Sequence, residues 1–153
     1  MSLKEKLEQR KNIIQDKNFD WKALRINYEN EYSKLIQEIR GYFISYVKEG
    51  LAEILDIKVP IQEEHNKEYI LASIKILIND ETIIFYPIGA EILGASGRFD
   101  FYLLGKKDKA KRVLLGKKLD EQSQTWIFWE PNEPYHLKEF NKKNLEEVIE
   151  GWI

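Results

Sequence analysis

Apolar and aromatic residues recur every three or four positions from Trp21 onward, which is the period of a helix with one buried face. This stripe follows Asp20, a favourable N-cap residue, and ends near Gly50, after which residues 51–55 are predicted to add a further helical turn. Residues 2–16 favour a separate helix by composition, and Ser2 opens a capping box there. Two N-terminal helices are therefore predicted. The stripe comprises Trp21, Leu24, Tyr28, Tyr32, Leu35, Ile39, Tyr42, Phe43 and Tyr46.

After Asp56 the pattern changes to short apolar runs of strand character, separated by polar turns of hairpin length. The helical period returns only over Leu137–Gly151. Strands joined by hairpins form an antiparallel meander, and segregated helices and strands define an α+β fold in two layers. We expect a single α+β domain over residues 1–153, with about six strands between two N-terminal helices and one C-terminal helix. The predicted strands are 57–61, 69–78, 82–88, 99–104, 111–115 and 125–129.

Two of these strands carry specific expectations about their faces. In the second strand, alternate residues from Ile70 to Ile78 are predicted to form one apolar face. In the last strand, Trp126 and Phe128 point one way while Ile127 and Trp129 point the other. A strand that is apolar on both faces requires cover on both. The N-terminal helices are expected to cover one face, and the C-terminal helix or a second subunit the other.

The stretch 87–101 departs from ordinary packing because three glycines and an Arg-x-Asp pair separate two apolar runs. Gly89, Gly94 and Gly97 are predicted to supply a positive φ or a close backbone approach at a bulge or corner of the sheet. Arg98 and Asp100 stand two residues apart on a strand, so they share a face and can pair there. We interpret the stretch as a structural corner with a fixed Arg/Asp pair, and keep open that it is functional.

Three chemical interpretations of the same stretch are weaker. Gly94 and Ser96 match part of the nucleophile elbow of serine hydrolases, but Arg98 stands where that motif needs glycine. A backbone nest near 94–97 could hold an anion. Asp100 and Lys117 resemble the metal-binding aspartate and the lysine of restriction-endonuclease-like folds, although Leu115 stands where the second acid should be. That resemblance covers about twenty residues and implies at most a degenerate nuclease-like module.

Two further groups of residues are candidates for binding. A lysine-rich stretch is predicted to lie near one hairpin tip, where it forms either a solvated turn or a weak anion or nucleic-acid patch. Exposed aromatic residues are favoured interface anchors. The 63–68 turn, with Glu63, Glu64, His65 and Glu68, is interpreted as a polar hairpin turn rather than a metal site. The patch is Lys106, Lys107, Lys109, Lys111, Arg112, Lys117 and Lys118, and the interface candidates are Tyr28, Tyr32, Trp126 and Trp129.

Composition narrows the function classes. The chain has no cysteine, which excludes disulfides, thiolate metal sites and a cysteine nucleophile. A net charge of −2 gives no general attraction to nucleic acid or acidic membranes. The N-terminus lacks the apolar stretch of a signal peptide, and no apolar run reaches the roughly 20 residues of a membrane helix, so a cytoplasmic protein without membrane contact is expected.

No cofactor motif and no converging set of catalytic residues is recognisable in the sequence. We therefore expect a small domain without intrinsic catalysis and without a cofactor or metal. It would act by protein–protein interaction, of a regulatory or toxin-neutralising type, as a homodimer or in a heteromeric complex. The alternative from another class is a nucleic-acid-binding or degenerate nuclease-like module that uses the basic hairpin with Arg98 and Asp100.

Overall fold

The computed structural model of the chain describes residues 2–14, 19–117, 123–130 and 138–153, and for 9–14 and 117 it describes the backbone alone. Three helices and a seven-stranded antiparallel sheet give an α+β architecture. The helices are α1 (Leu3–Ile14), α2 (Trp21–Lys48) and α3 (Lys142–Trp152). The strands are β1 (Glu53–Glu63), β2 (Lys67–Ile78), β3 (Glu81–Gly89), β4 (Arg98–Leu103), β5 (Lys111–Lys117), β6 (Gln124–Trp129) and β7 (Lys138–Glu139).

The sheet is a meander in which each strand pairs with the next, in the order β1 to β7. All six pairings are antiparallel, as the short connections predicted. Among the helices of the described ranges, none is long and apolar enough to cross a membrane. The meander places residues that are distant in sequence into common cross-strand rows, and this arrangement builds the site described below.

The long helix α2 begins at its predicted cap, because the Asp20 carboxylate accepts a hydrogen bond from the Ala23 amide at 2.9 Å. It continues without a break through Gly41. Its buried face packs on the sheet, and two tyrosine hydroxyls from this face are bonded to sheet residues. The buried residues of α2 are Tyr28, Tyr32, Leu35, Ile36, Ile39 and Phe43.

Helix α3 packs on the same face of the sheet as α2, which differs from the expectation that it would cover the opposite face. Phe140, two residues before α3, contacts the rings of Phe99 and Phe101 edge-on at 5.4 and 5.9 Å between centroids. Tyr32 of α2 contacts that same Phe99 at 5.6 Å. Leu145 and Ile149 bring α3 into the same core. Both helices therefore pack on one face of strands β3–β6, and Trp152 at the end of α3 also reaches the cleft beside the other face.

Two helix boundaries in the structure differ from the predicted ones. The extra helical turn over 51–55 is wrong, because Gly50 takes φ +74°, ends the helical segment and lets β1 begin at Glu53. The helix predicted from Leu137 instead begins at Lys142, where the Asn141 side chain accepts from the Asn144 amide at 2.9 Å. Lys138 and Glu139 form β7, a seventh strand against β6, while residues 131–137 lie outside the described ranges.

The buried face of β2 changes part way along the strand. Tyr69, Leu71 and Ser73 are buried, followed directly by Ile74 and Ile76, whereas the predicted face residue Ile70 is 64% exposed. The change occurs at Ser73, whose hydroxyl donates to the Phe85 carbonyl at 2.6 Å and lies 2.7 Å from the Tyr32 hydroxyl. Because apolar residues lie on both sides of this change of face, the alternation of apolar and polar positions did not reveal it.

Gly97 provides a test of how closely α2 approaches the sheet. A Cβ atom at Gly97 would overlap the Tyr28 ring, whereas one at Gly116 would meet only Ile127 Cδ1 at 3.7 Å. We expect Gly97→Ala to lower the free energy of unfolding by about 1–3 kcal/mol through overpacking, and Gly116→Ala to change it by less than ~1 kcal/mol. Urea unfolding of the two variants measures this difference. Equal effects would contradict the close contact between Tyr28 and Gly97.

Candidate functional site

The face of the sheet that α2 and α3 leave uncovered carries a cross-strand row of four large polar and aromatic residues. The strand register places Tyr86 opposite Asp100, Asp100 opposite Arg112, and Arg112 opposite Trp129. Their neighbours along each strand are buried core residues such as Phe85, so the four side chains project to the other face. This row, called here the outer row, is the centre of the candidate site.

Arg98 and Asp100 form a two-point ion pair on this face. Arg98 Nε donates to Asp100 Oδ1 at 2.9 Å, and Arg98 Nη2 donates to Asp100 Oδ2 at 2.8 Å. Both side chains are partly buried, with 25% and 19% of their surfaces exposed. The expected sharing of a face is thus present, and the planar guanidinium uses the parallel geometry that suits a carboxylate. Both oxygens of Asp100 are engaged by Arg98.

Cations lie over the aromatic rings of the outer face. The Arg112 guanidinium carbon is 4.7 Å from the centre of the Trp129 ring system. Lys107 Nζ lies 5.4 Å from the Tyr102 ring centre and 6.0 Å from that of Tyr86. These distances are within the range of cation–π attraction. Two basic residues of the lysine-rich stretch therefore contact aromatic rings of this face, Arg112 from β5 and the exposed Lys107 from the connection before it.

A cleft of about 500 Å³ opens beside the outer row, between the start of β5 and the end of β6. Four basic and three acidic side chains line it together with two tryptophans. Lys111 Nζ lies 3.9 Å from Glu130 Oε1, which makes a loose ion pair at the rim. The lining residues are Arg98, Asp100, Asp108, Lys109, Ala110, Lys111, Arg112, Trp129, Glu130 and Trp152.

The basic patch predicted at one hairpin tip is divided by the strand β5. Lys106, Lys107 and Lys109 lie in the connection before β5, and Lys111 and Arg112 begin the strand. Lys117 ends the same strand, six residues further along, which is about 20 Å away at the rise of an extended chain. The single-tip prediction is wrong for Lys117, and Lys118 lies outside the described residues.

The predicted interface aromatics separate into core and surface residues. Tyr28 and Tyr32 have no exposed surface, and Trp126 is 7% exposed, so these three pack inside the protein and offer nothing to a partner. Trp129 is 40% exposed and belongs to the outer row. The helical and strand periods located all four correctly, but the prediction that three of them form an interface is corrected because the sheet and α2 bury them against each other.

The glycine corner has a structural explanation at Gly94 and at Gly97. Gly94 takes φ +79°, a conformation that suits glycine, and Gly97 gives the Tyr28 ring the space that a side chain would fill. Ser96 Oγ accepts a hydrogen bond from Gln124 Nε2 at 3.3 Å, and His65 is engaged with Glu91 instead, so these residues do not form the hydrogen-bonded Ser–His arrangement of a hydrolase. Over the described ranges, no group of three or more His, Asp or Glu side chains is arranged to hold a metal ion.

A carboxylate network lies at the β1–β2 turn, which the sequence had indicated only to be a polar hairpin turn. Glu91 accepts hydrogen bonds from the amides of His65 and Asn66, each at 2.9 Å, and from both of their side chains. Glu63 accepts from the Glu91 amide at 2.8 Å and from the Tyr69 hydroxyl at 2.7 Å. The His65 ring stacks on Trp21 at 3.7 Å. The network links the turn to the start of α2 and to the glycine corner. No sequence motif had pointed to Glu91.

A second cleft, of about 290 Å³, lies at the end of the core between α2, α3 and the β2–β3 turn. Its walls are mainly apolar, and Glu146 and Glu150 stand among them. The Tyr46 hydroxyl donates to Glu146 at 3.1 Å within this region. Its apolar lining comprises Phe43, Tyr46, Leu51, Ala52, Ile78, Ile149 and Ile153. None of the sequence-predicted site residues lies there.

Comparison of the chain with protein-family models, with curated proteins and with solved structures found no match in any of the three. The geometry of the outer face is therefore the basis for inferring a function.

The Arg98–Asp100 pair is expected to be coupled in stability. Removing either partner leaves a partly buried charge uncompensated, so Arg98→Leu and Asp100→Leu should each lower the free energy of unfolding by about 1–3 kcal/mol. The double variant should lose less than the sum of the two, with a coupling above the ~0.2–1 kcal/mol of exposed pairs. Denaturant unfolding of all four proteins completes the cycle. Additive effects near zero would show that the pair contributes no stability.

Glu91 is expected to make stability dependent on acid pH. Burial alone would raise its pKa, but the hydrogen bonds from Asn66 and His65 outweigh burial and lower the pKa below its ordinary value of 4.5. The stabilisation is therefore fully present above pH 4.5 and is lost as the pH falls through the lower folded-state pKa.

Glu91→Gln tests this dependence, because glutamine cannot titrate. We expect the variant to be less stable than the wild type at neutral pH, with a difference that shrinks as the pH falls below about 4.5. Denaturant unfolding at several pH values between neutrality and acid provides the measurement. A difference that stays constant down to acid pH would contradict the lowered pKa.

Proposed function

We propose that this protein is a protein-binding module whose partner docks on the outer face of strands β3–β6. The observation that carries the proposal is the outer row, Tyr86, Asp100, Arg112 and Trp129, aligned across four strands on a face that α2 and α3 leave uncovered. A role of regulatory or toxin-neutralising type fits such a module, since it requires binding without chemistry from the chain itself.

The composition of the outer face, more than its exposure, supports binding. Antiparallel sheets commonly face water on one side, and such faces usually carry polar residues. Here a tryptophan and a tyrosine stand beside two arginines, and Leu114 and Ile127 pair in the adjacent row. Tryptophan, tyrosine and arginine are the residues that most often dominate binding energies at interfaces. Their arrangement in one row suits a partner surface of similar length.

The same face supports nucleic-acid binding less well. Single-stranded nucleic acid binds to aromatic platforms by base stacking, which requires accessible ring faces. Trp129 and Tyr86 each have a cation over the ring, from Arg112 and Lys107. Three carboxylates also stand among the four cations of the cleft and oppose the continuous series of negative charges that a phosphate backbone brings. These features favour a protein partner over the nucleic-acid alternative.

Affinity capture with wild-type and variant proteins tests the proposal. Trp129→Ala removes an exposed anchor of the outer row, whereas Phe19→Ala removes an aromatic ring of similar exposure, 42% against 40%, outside the sheet. Proteins captured from the native host by the wild type and by Phe19→Ala, but not by Trp129→Ala, are the expected partners. With the purified partner, calorimetry should show at least a ~10-fold weaker Kd for Trp129→Ala only.

Two results would contradict the proposal. One is a purified partner that binds wild type and Trp129→Ala equally. The other is binding of a single-stranded or duplex oligonucleotide at physiological salt that is lost in Trp129→Ala, which would support the nucleic-acid alternative. Circular dichroism and unfolding curves of each variant control for loss of folded protein.

A further inference from the structure

Only some of the charged side chains that line the cleft beside the outer row form ion pairs with one another. Arg98 is engaged by Asp100, and Lys111 lies beside Glu130. Of the seven charged residues that line the cleft, Arg112, Lys109 and Asp108 then remain. Two cations and one carboxylate therefore lack an ionic partner among the described residues, which leaves the cleft with one net positive charge while the whole chain carries −2.

Arg112 is held in place without using its hydrogen-bond donors. Within the ranges that the structure describes, its guanidinium makes no hydrogen bond or ion pair, and its contact is with the Trp129 ring at 4.7 Å. Asp100, the cross-strand neighbour of Arg112, has both oxygens bonded to Arg98. A guanidinium stacked on an indole has lost much of its rotational freedom, yet its planar fork of N–H groups is unoccupied. This is a preorganised receptor for a planar anion.

We propose that the cleft binds one carboxylate, presented as an aspartate or glutamate side chain of the partner that docks on the outer face. This inference rests on the proposed function and names the partner chemistry that the same site selects. Arg112 accommodates the carboxylate through two parallel N–H donors, and Lys109 at the rim adds a second positive charge. One carboxylate brings the net charge of the cleft to zero.

Charge balance distinguishes a carboxylate from a phosphate group. A phosphate monoester carries up to two negative charges, and nucleic acid brings a series of them. Asp100, Asp108 and Glu130 line the same cleft and oppose each additional negative charge. The carboxylate matches both the single excess charge and the planar geometry of the arginine fork, whereas the tetrahedral phosphate matches neither as well.

The first experiment uses the chain without its partner. Acetyl-glutamate amide and inorganic phosphate serve as probes, and NMR follows the Arg112 Nε–H and Trp129 indole N–H signals. We expect saturable shifts of both signals with acetyl-glutamate amide in the millimolar range, retained in Arg40→Gln, and no saturable shift of the Trp129 signal in Arg112→Gln. Arg40 is a suitable control because its ion pair with Asp56 links α2 to β1, away from the cleft. Tighter binding of phosphate, or no saturable shift with the carboxylate, would overturn the proposal.

The second experiment uses the captured partner. Arg112→Lys keeps the charge but loses the fork, so we expect roughly 10-fold weaker binding, and about 100-fold or more for Arg112→Glu. Replacing the contacting partner acid by lysine should restore binding to Arg112→Glu. A partner that requires Trp129 but is indifferent to Arg112 would overturn the carboxylate site and leave the protein-binding function standing. A partner indifferent to Trp129 would remove the function itself, whatever the NMR probes show.

Discussion

Two tyrosine hydroxyls of α2 hold the helix against the sheet, and the position of the outer row depends on them. The Tyr28 hydroxyl donates to the Arg98 carbonyl at 2.7 Å, and its ring lies on Gly97. One turn later, the Tyr32 hydroxyl meets Ser73, which in turn donates to the Phe85 carbonyl. Burial raises the pKa of both tyrosines, so they stay neutral donors. These bonds fix β2, β3 and β4 relative to one helix.

This anchoring connects the core to the candidate site through single residues. Tyr28 binds the backbone of Arg98 from the core side, while the Arg98 side chain pairs with Asp100 on the outer side. Asp100 stands between two core phenylalanines, Phe99 and Phe101, which pack under α2 and α3. Because strand side chains alternate, rigid packing of the phenylalanines limits the movement of the ion pair above them. The site is therefore preorganised by the same contacts that stabilise the fold.

Much of the fold could be predicted from residue periodicity, and the departures have local causes. The stripe from Trp21 to Tyr46 located α2, and hairpin spacing predicted the antiparallel meander. The two-residue strand β7 and the start of β1 at Glu53, directly after the predicted helix end at Gly50, could not be read from period alone, since both depend on one or two residues. The change of face at Ser73 depends on a buried hydrogen bond to residues far along the chain. Such tertiary bonds leave no trace in local apolar spacing.

The candidate site was only half accessible to sequence reasoning. Arg98 and Asp100 were identified because they lie two apart on one strand, and Trp129 because its strand is apolar on both faces and tryptophan is a favoured interface anchor. Tyr86 was overlooked, and Arg112 was grouped with the lysines. Both lie in one row with Asp100 only because of the pairing register of four strands. That register depends on the lengths of the connections and on a bulge between Pro87 and Gly89, neither of which an apolar pattern encodes.

The alternation of core and outer residues also separates what stabilises the protein from what gives it a function. Phe85, Phe99, Val113 and Phe128 occupy the helix-covered face, and each is followed or preceded by an outer-row residue on the same strand. A change in the row alters charge and shape at the surface, while the apolar layer one residue away is preserved. Arg112 shows the extent of this separation. Its cation is stacked on Trp129 without an acidic partner among the described residues, an arrangement that forgoes the Coulombic gain of an ion pair. Folding alone does not require such a charge at a half-buried position, and a ligand that supplies the missing carboxylate gives it a physical reason.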